Sequence, residues 1–251
     1  MIKKIVILTL LMAFMFGGAV RAQVDELPDP GMLPGNPFYF LKAVSEGIGT
    51  FFTFGDVKKA ERFAFLAEKR LAEADALAEK GDSKRAEKAA EKYQERLAAA
   101  LDKADEAKAK GLDVDEVLAK VSEATLRHQE VLARIFEKVP EQARKGIERA
   151  MEASAKGYER ALKAISKEKK TEVLQQVEAK RQEIEVRLEG LRSKGIPIPK
   201  VKSKQEIEAE DEMEEENEVE GNGRPEGTGR SEIEGENGTD EGGRPEGAGR
   251  P

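Results

Sequence analysis

The sequence predicts an all-α fold, an elongated antiparallel bundle of about five helices followed by a disordered acidic C-terminal tail. One helix is expected to be short and aromatic, and four are expected to be long. Residues 37–200 are rich in Ala, Leu, Glu, Lys and Arg, which have high helix propensities. Apolar residues recur there at steps of three and four, the period of one helix face. Glycines, prolines and capping residues separate the successive stripes.

The aromatic helix comes first and is expected to supply the bulky side chains of the core. Outside the N-terminal leader there are eleven Phe and Tyr residues, and eight of them lie in residues 37–65. Asn36 suits an N-cap and Pro37 the first helical position, so a helix is predicted from Pro37 to about Phe52. Large rings bury much area per residue, which makes these rings the candidate core or interaction residues. They are Phe38, Tyr39, Phe40, Phe51, Phe52 and Phe54.

Two long helices are predicted next. Asp56 is expected to cap a helix of about 25 residues that stops at Gly81. Asp82 or Ser83 then opens a second helix, which ends at Gly111.

The remaining helical stretches are bounded by similar signals. Asp113 with Glu116 forms a predicted capping box. Pro140 must begin a new helix rather than interrupt the old one. Thr171 is the expected cap of the last helix, which closes at Gly195 and Pro197. Short connections favour antiparallel neighbours, and heptad-like stripes favour coiled-coil-like packing. A two-helix-repeat solenoid is the alternative, although no 34-residue repeat signature is evident.

The N-terminus is typical of a secretory signal peptide over residues 1–22. Two lysines precede an apolar run at residues 5–16, and Val20-Arg21-Ala22 fits a small-x-small cleavage site. An uncleaved membrane anchor is the alternative, but the run is shorter than the ~20 residues that span a bilayer. We therefore expect a secreted, extracytoplasmic or cell-surface protein that starts near Gln23. Residues 23–36, rich in Pro and Gly, should then be extended.

The C-terminal residues 201–251 are predicted to be disordered. Residues 205–251 carry 17 acidic and 4 basic side chains, and Gly-Arg-Pro-Glu-Gly-x-Gly-Arg occurs at 223–230 and again at 243–250. Such a composition offers little apolar surface to bury. Asn237 begins an Asn-Gly-Thr sequon and is a candidate glycosylation site. The body carries only a small net positive charge, which argues against a nucleic-acid surface.

No arrangement of residues indicates catalysis. His128 is the only histidine and lies on an apolar stripe, so it is predicted to be a core or boundary histidine bonded to a neighbour. Typical zinc sites need further His or Cys ligands, and the chain has no Cys. Neither a nucleophile elbow nor a phosphate-binding glycine loop is present. We predict no catalytic, cofactor-binding or metal-binding residue, no cofactor and no enzymatic activity.

Several segments together resemble an exported prokaryotic family that is defined only as a domain of unknown function. They are Leu33-Pro34-Gly35-Asn36-Pro37-Phe38-Tyr39-Phe40-Leu41-Lys42, Phe52-Thr53-Phe54 with Lys58-Lys59-Ala60-Glu61, Leu71-Ala72-Glu73-Ala74, and the helical stretch from Arg127 to Ala150. The resemblance extends over roughly residues 27–167. It implies an all-α exported domain and indicates no activity.

These observations predict a non-catalytic structural or protein-interaction module at the cell surface. Its partner would be another exported or cell-surface protein. The alternative is peripheral binding to a membrane surface through the Phe-rich first helix. Exposure of the rings at residues 38–54 discriminates between the two: buried rings favour the protein-interaction hypothesis, and a contiguous exposed patch favours the membrane hypothesis. The oligomeric state is not indicated.

Overall fold

The fold is all-helical in the computed structural model, which describes residues 27–210 and Met213. No strand occurs among these residues, so the predicted fold class is confirmed. Nearly all of them belong to one compact unit that ends at residue 211. The predicted signal peptide, the two tail repeats and Asn237 lie outside the described residues.

Six helices and one short helical segment are present in residues 27–210. The helices are α1 (Tyr39–Phe51), α2 (Asp56–Glu79), α3 (Ser83–Ala109), α4 (Asp115–Lys138), α5 (Glu141–Ala164) and α6 (Lys167–Arg192). Residues 204–210 form the short segment. Five helices are long, so the predicted count of four long helices is one too low. Pro140 is the N-cap of α5 and makes α4 and α5 separate helices.

The predicted start of α3 is confirmed. Asp82 is the N-cap of α3, and its carboxylate accepts a hydrogen bond of 3.2 Å from the backbone N–H of Arg85. The predicted start of α1 is wrong by two residues: the side chain of Asn36 accepts a hydrogen bond of 2.9 Å from the N–H of Phe38 in the preceding turn, but α1 begins at Tyr39 and its N-cap is Phe38. Gly81 and Gly111 both have a φ of +74°, the left-handed conformation that ends a helix at little cost in a glycine.

Three other predicted caps are wrong. Asp56 is the first residue of α2, and the N-cap of this helix is Gly55. The carboxylate of Asp113 accepts a hydrogen bond of 3.0 Å from the N–H of Asp115, and the expected capping box with Glu116 is not formed. Helix α6 begins at Lys167, before Thr171, and Ser166 is its N-cap. The reason is a tertiary contact: the carboxylate of Asp115 accepts a hydrogen bond of 2.8 Å from the N–H of Ser166. A partner 51 positions away along the chain therefore sets this helix start.

The long helices form two layers of stacked hairpins. Within one layer α2, α4 and α6 are neighbours, and their ion pairs advance in the same direction along both chains, which shows that they run parallel. These pairs are Asp75–Arg134 and Glu79–Lys138 between α2 and α4, Glu130–Arg187 between α4 and α6, and Glu137–Lys194 between α4 and the turn that follows α6. In the second layer α3 and α5 are also parallel, paired through Glu91–Arg149 and Asp102–Arg160.

This arrangement corrects the predicted antiparallel bundle. The two hydrogen bonds between α4 and α5, from Gln129 to the carbonyl of Met151 and from Ser154 to the carbonyl of Thr125, show that these consecutive helices are antiparallel. Helices that are neighbours within a layer are parallel, because each short-looped hairpin stacks beside the preceding one. The stacking corresponds to the alternative of two-helix units, without a detectable sequence repeat.

Residues 196–210 complete the third hairpin, beside α6. The side chains of Ile196, Ile198, Val201 and Ile207 are buried in the same core. The ammonium group of Lys202 lies 3.2 Å from the carboxylate of Glu159 on α5. The prediction that disorder begins at residue 201 is therefore wrong for residues 201–210. The sequence did not predict this packing, because residues 201–210 contain few apolar side chains among several acidic ones.

The third hairpin gives a testable consequence. Ile207 is fully buried (0% exposed), so Ile207→Ala should lower the free energy of unfolding by about 2–4 kcal/mol through lost burial and a residual cavity. Met213 is 56% exposed, and Met213→Ala should change it by less than about 0.5 kcal/mol. Urea denaturation of both variants measures the difference. Equal stability of the two variants would show that residues 196–210 do not contribute to the core.

Candidate functional site: the outward aromatic face of helix α1

Helix α1 turns its polar side toward the protein. Lys42 is the one residue of α1 that is buried. Its ammonium group pairs with the carboxylate of Glu73 on α2, which is 0% exposed, and also donates a hydrogen bond of 3.2 Å to the carbonyl of Met32. A buried ammonium group needs such partners because leaving water is costly for a charge.

Arg70 of α2 completes the buried network. Its guanidinium group pairs with both Glu73 and Glu46 and donates a hydrogen bond of 3.1 Å to the hydroxyl of Tyr39. That hydroxyl in turn donates a hydrogen bond of 3.0 Å to Glu73. Burial, followed by the negative charge of Glu73, raises the pKa of Tyr39 to about 12, so the hydroxyl keeps its proton. Two cations and two carboxylates thus balance in one buried cluster, which we call the ionic anchor: Lys42, Glu46, Arg70 and Glu73, with Tyr39.

A second contact fixes the other end of α1. A Cβ atom added to Gly49 would lie 2.7 Å from the guanidinium group of Arg62. The arginine side chain of α2 therefore lies directly against the backbone of α1. A larger residue at position 49 would require the end of the Arg62 side chain to move.

With its polar side anchored, α1 presents its apolar residues to solvent. These residues, together with three flanking rings, form the outward aromatic face, and each is 49–76% exposed: Phe38, Phe40, Leu41, Val44, Ile48, Phe51, Phe52 and Phe54. Both charged residues of α1, Lys42 and Glu46, belong to the ionic anchor. The outward side of the helix therefore carries no charge.

The prediction that these rings form the core is wrong. Phe38, Phe40, Phe51, Phe52 and Phe54 are all exposed, and Tyr39 is half-buried because it belongs to the anchor. The sequence predicts correctly that the apolar residues of α1 share one face of the helix, but it does not show that this face points to solvent. Tyr39, Lys42 and Glu46 form a second, polar stripe at steps of three and four, and this stripe has the buried partners.

A signal for this orientation was present in α2. Arg70 and Glu73 follow Leu66 at steps of four and three, and Leu77 continues the stripe. Two charges within an apolar stripe indicate buried partners on another element, since buried charges are almost always paired. Lys42 and Glu46, one turn apart in an otherwise apolar helix, are the complementary pair.

Two basic residues follow the outward aromatic face in the sequence. Phe51 and Phe52 touch edge to face, with ring centroids 5.3 Å apart, and Phe54 follows in the turn before α2. Lys58, which is exposed, and Lys59, which is half-buried, are in the first turn of that helix.

His128 occupies a different, interior position. Its Nδ1 lies 3.0 Å from the hydroxyl of Tyr93, and both side chains are buried. The prediction of a core histidine bonded to a neighbour is confirmed. Burial, and secondarily the charge of Arg127, lowers its pKa to about 3, so the imidazole is neutral in the folded protein at ordinary pH.

No group of three or more His, Cys, Asp or Glu side chains among residues 27–210 is placed to hold a metal ion. Within the same residues, no helix combines the length and apolar character needed to cross a bilayer.

Residues 31–142 match the family model of a domain of unknown function (DUF5667). This match confirms the resemblance to a domain-of-unknown-function family, over a shorter range than the 27–167 expected. It includes α1, the ionic anchor and His128. No curated protein matches the chain, and no solved structure matches it.

The exposure of the rings predicts that they contribute little to folding. Phe38→Ala and Phe51→Ala should each change the free energy of unfolding by less than about 0.5 kcal/mol, because their rings are 60% and 76% exposed. Leu71 is 0% exposed, and Leu71→Ala should cost about 2–5 kcal/mol. Urea denaturation compares the three variants. A loss of about 3 kcal/mol for Phe38→Ala would restore its assignment to the core.

Buried His128 predicts a pH dependence of stability. The unfolded chain takes up a proton near pH 6.5, whereas the folded chain resists it down to about pH 3. Stability should therefore be complete above pH 6.5 and should fall below it, by up to about 1.4 kcal/mol per pH unit.

His128→Gln keeps a hydrogen-bonding group beside Tyr93 but does not titrate. Urea denaturation between pH 5 and 6.5, above the range where carboxylates titrate, should give a smaller slope for this variant than for the wild type. Identical slopes would contradict the assignment of the effect to His128.

Proposed function

We propose that this protein is a non-catalytic, exported attachment module that binds a membrane surface through the outward aromatic face of α1. The observation that carries the proposal is the charge-free outward side of α1, with eight large apolar side chains 49–76% exposed. A Phe ring has roughly 150–250 Å² of surface, so the five rings alone expose roughly 600 Å². A typical soluble monomer has a largest apolar patch of about 300–600 Å².

The ionic anchor supports the proposal because it fixes the outward orientation of this face. If α1 were simply an apolar helix at rest on the surface, its apolar side would turn inward. Here the inward position is held by Lys42 and Arg70, each paired with Glu73. Rotating α1 would separate Lys42 from Glu73 and Glu46 from Arg70, and it would leave α2 only its internal pair between Arg70 and Glu73. Removing one partner of a buried ion pair costs about 3–5 kcal/mol. The anchor therefore keeps the rings outward before any binding occurs.

A lipid surface suits this face better than a protein partner does. The rings project from a single helix and do not enclose a groove that a partner side chain could fill. A bilayer interface needs no matching shape, and an apolar helix face enters it by about 5–10 Å. Lys58 and Lys59 lie where they could meet anionic headgroups beside the inserted rings. An exposed patch is also the outcome that the sequence associated with membrane binding.

The proposal that the protein is exported is based on the predicted signal peptide at residues 1–22. The proposal of a non-catalytic role is based on the state of the only histidine. His128, the single histidine, is buried and neutral, and its Nδ1 is occupied by Tyr93. Protein–protein docking by the same face is the competing function and is decided by the experiment below.

Vesicle sedimentation tests membrane attachment. All proteins begin at Gln23, the predicted start of the processed chain, so that the apolar leader does not contribute. The wild type should sediment with phosphatidylcholine vesicles, and more strongly when about a third of the lipid is phosphatidylglycerol. Phe51→Ser combined with Phe52→Ser should reduce the bound fraction at least tenfold, because the inserted apolar area is lost.

Val186→Ser is the matched control, since Val186 on α6 is also 76% exposed but lies far along the chain from the face. It should bind as the wild type does. Lys58→Gln with Lys59→Gln should weaken binding to the anionic vesicles alone. If the wild-type protein sedimented with neither type of vesicle, the proposal would be rejected. A wild-type dimer in light scattering that Phe51→Ser/Phe52→Ser converts to monomer, without vesicle binding, would assign the face to a second copy instead.

A further inference from the structure

A cleft of about 380 Å³ opens between α2 and α4, and none of the residues that line it belongs to the outward aromatic face. Its volume is in the range of small-molecule sites, about 300–1,000 Å³. The small side chains of Ala64 and Ala124 line it, so the two parallel helices do not fill the space between them. A larger cleft of about 740 Å³ lies further along the same helix pair. Glu68 and His128 line both clefts.

Glu68 is a half-buried carboxylate that has no hydrogen bond or ion pair within the described part of the chain. Burial raises the pKa of its carboxyl group, and the charge of Arg127 only partly opposes that effect. A carboxylate in this position lowers the stability of the fold at neutral pH. Such groups are retained more often at sites of function than elsewhere.

The remaining charges do not neutralise the smaller cleft. Glu61 at its rim also lacks a hydrogen bond or ion pair among residues 27–210. The lysine of the cleft, Lys120, donates its hydrogen bond of 2.7 Å to Glu116, which does not line the cleft. Arg127 lines the larger cleft but not the smaller one. The smaller cleft therefore holds two carboxylates and one lysine, and that lysine is already hydrogen-bonded to Glu116, so the cleft has a net negative charge.

The other surfaces of the cleft are apolar. Ala67, Leu97 and Val121 are buried beneath it, and the half-exposed ring of Phe65 forms one wall. His128 contributes an imidazole that stays neutral, so it does not repel a cation. An apolar floor with negative charge at one end is complementary to a molecule with an aliphatic body and a cationic head.

We propose that this cleft binds a primary ammonium ion with a short aliphatic body. The ammonium group pairs with Glu68, and the aliphatic chain lies over Ala64 and Val121. The ammonium group supplies the hydrogen-bond donors that the carboxylate lacks. This site does not depend on membrane attachment by α1.

Binding in the cleft can be measured through the only histidine of the chain. His128 lines the cleft, so its imidazole gives one NMR signal whose shift reports on occupancy. Hexylammonium, titrated at pH 7.5 into protein that begins at Gln23, should shift this signal along a saturable curve. Hexanol has the same chain without the charge and should bind at least tenfold more weakly. Hexanoate should not shift the signal, because its charge is repelled by Glu68 and Glu61.

Two variants test which carboxylate binds the ammonium group. Glu68→Gln should reduce the affinity for hexylammonium at least tenfold. Its unfolding temperature should not fall, because the cost of burying this carboxylate exceeds its attraction to the charge of Arg127. Glu61→Gln, the rim control, should reduce the affinity less than threefold.

Phe51→Ser/Phe52→Ser should leave the titration unchanged, which separates this site from binding of the amine to the outward aromatic face. A shift that does not saturate, equal affinities for hexanol and hexylammonium, or an unchanged affinity in Glu68→Gln would each overturn the proposal. Vesicle binding could fail without affecting any of these outcomes.

Discussion

The ionic anchor determines how the N-terminal part of this protein is presented. Four charges from two helices meet in a site where Glu73 is fully buried, so each charge depends on the others. Apolar packing alone would place the rings of α1 inside. An unpaired buried charge costs about 3–5 kcal/mol, whereas burial of the roughly 600 Å² of exposed ring surface would contribute about 15 kcal/mol at ~25 cal/mol per Å². The anchor therefore fixes which face of α1 meets α2 but does not offset the exposure of the rings, which remain a large unburied apolar area.

The anchor also bears on specificity. Buried ion pairs add little net stability, because desolvation offsets much of their attraction. Their effect is to select one arrangement among several. In this protein the selected arrangement leaves a charge-free aromatic surface in a fixed place. A binding surface that is ordered in advance does not lose that ordering entropy on association.

Much of the architecture could be predicted from the sequence, because local signals define it. The helical period, the Asp82 cap and the break at Pro140 all appear in the structure where the residues indicated them. The start of α6 could not be predicted, since Asp115 on another helix determines it. Layer order was likewise hidden, because two-helix units stack here without repeating in sequence.

The candidate site was only half predicted. The rings at residues 38–54 were identified as important, and their membership of one helix face was right. Their direction depended on the pairing of Arg70 with Glu46, 24 positions apart, and of Glu73 with Lys42, 31 positions apart. A period cannot show which of two opposite faces is buried. His128 was predicted well, because a histidine within an apolar stripe has few alternatives. The unpaired state of Glu68 is visible only once α2 and α4 are placed side by side.

The two-layer stack has a consequence for how disturbances spread. In stacked hairpins each unit contacts only its neighbours, so stability is close to a sum of local terms. Opening of the third hairpin, where Ile207 closes the core, would expose α6 and the adjacent side of α4 and α5. It would reach α1 only through Leu27, Pro28 and Pro30, which line one cleft together with Lys180 and Arg187 of α6. Local opening at this end of the stack therefore leaves the ion pairs between α1 and α2 in place.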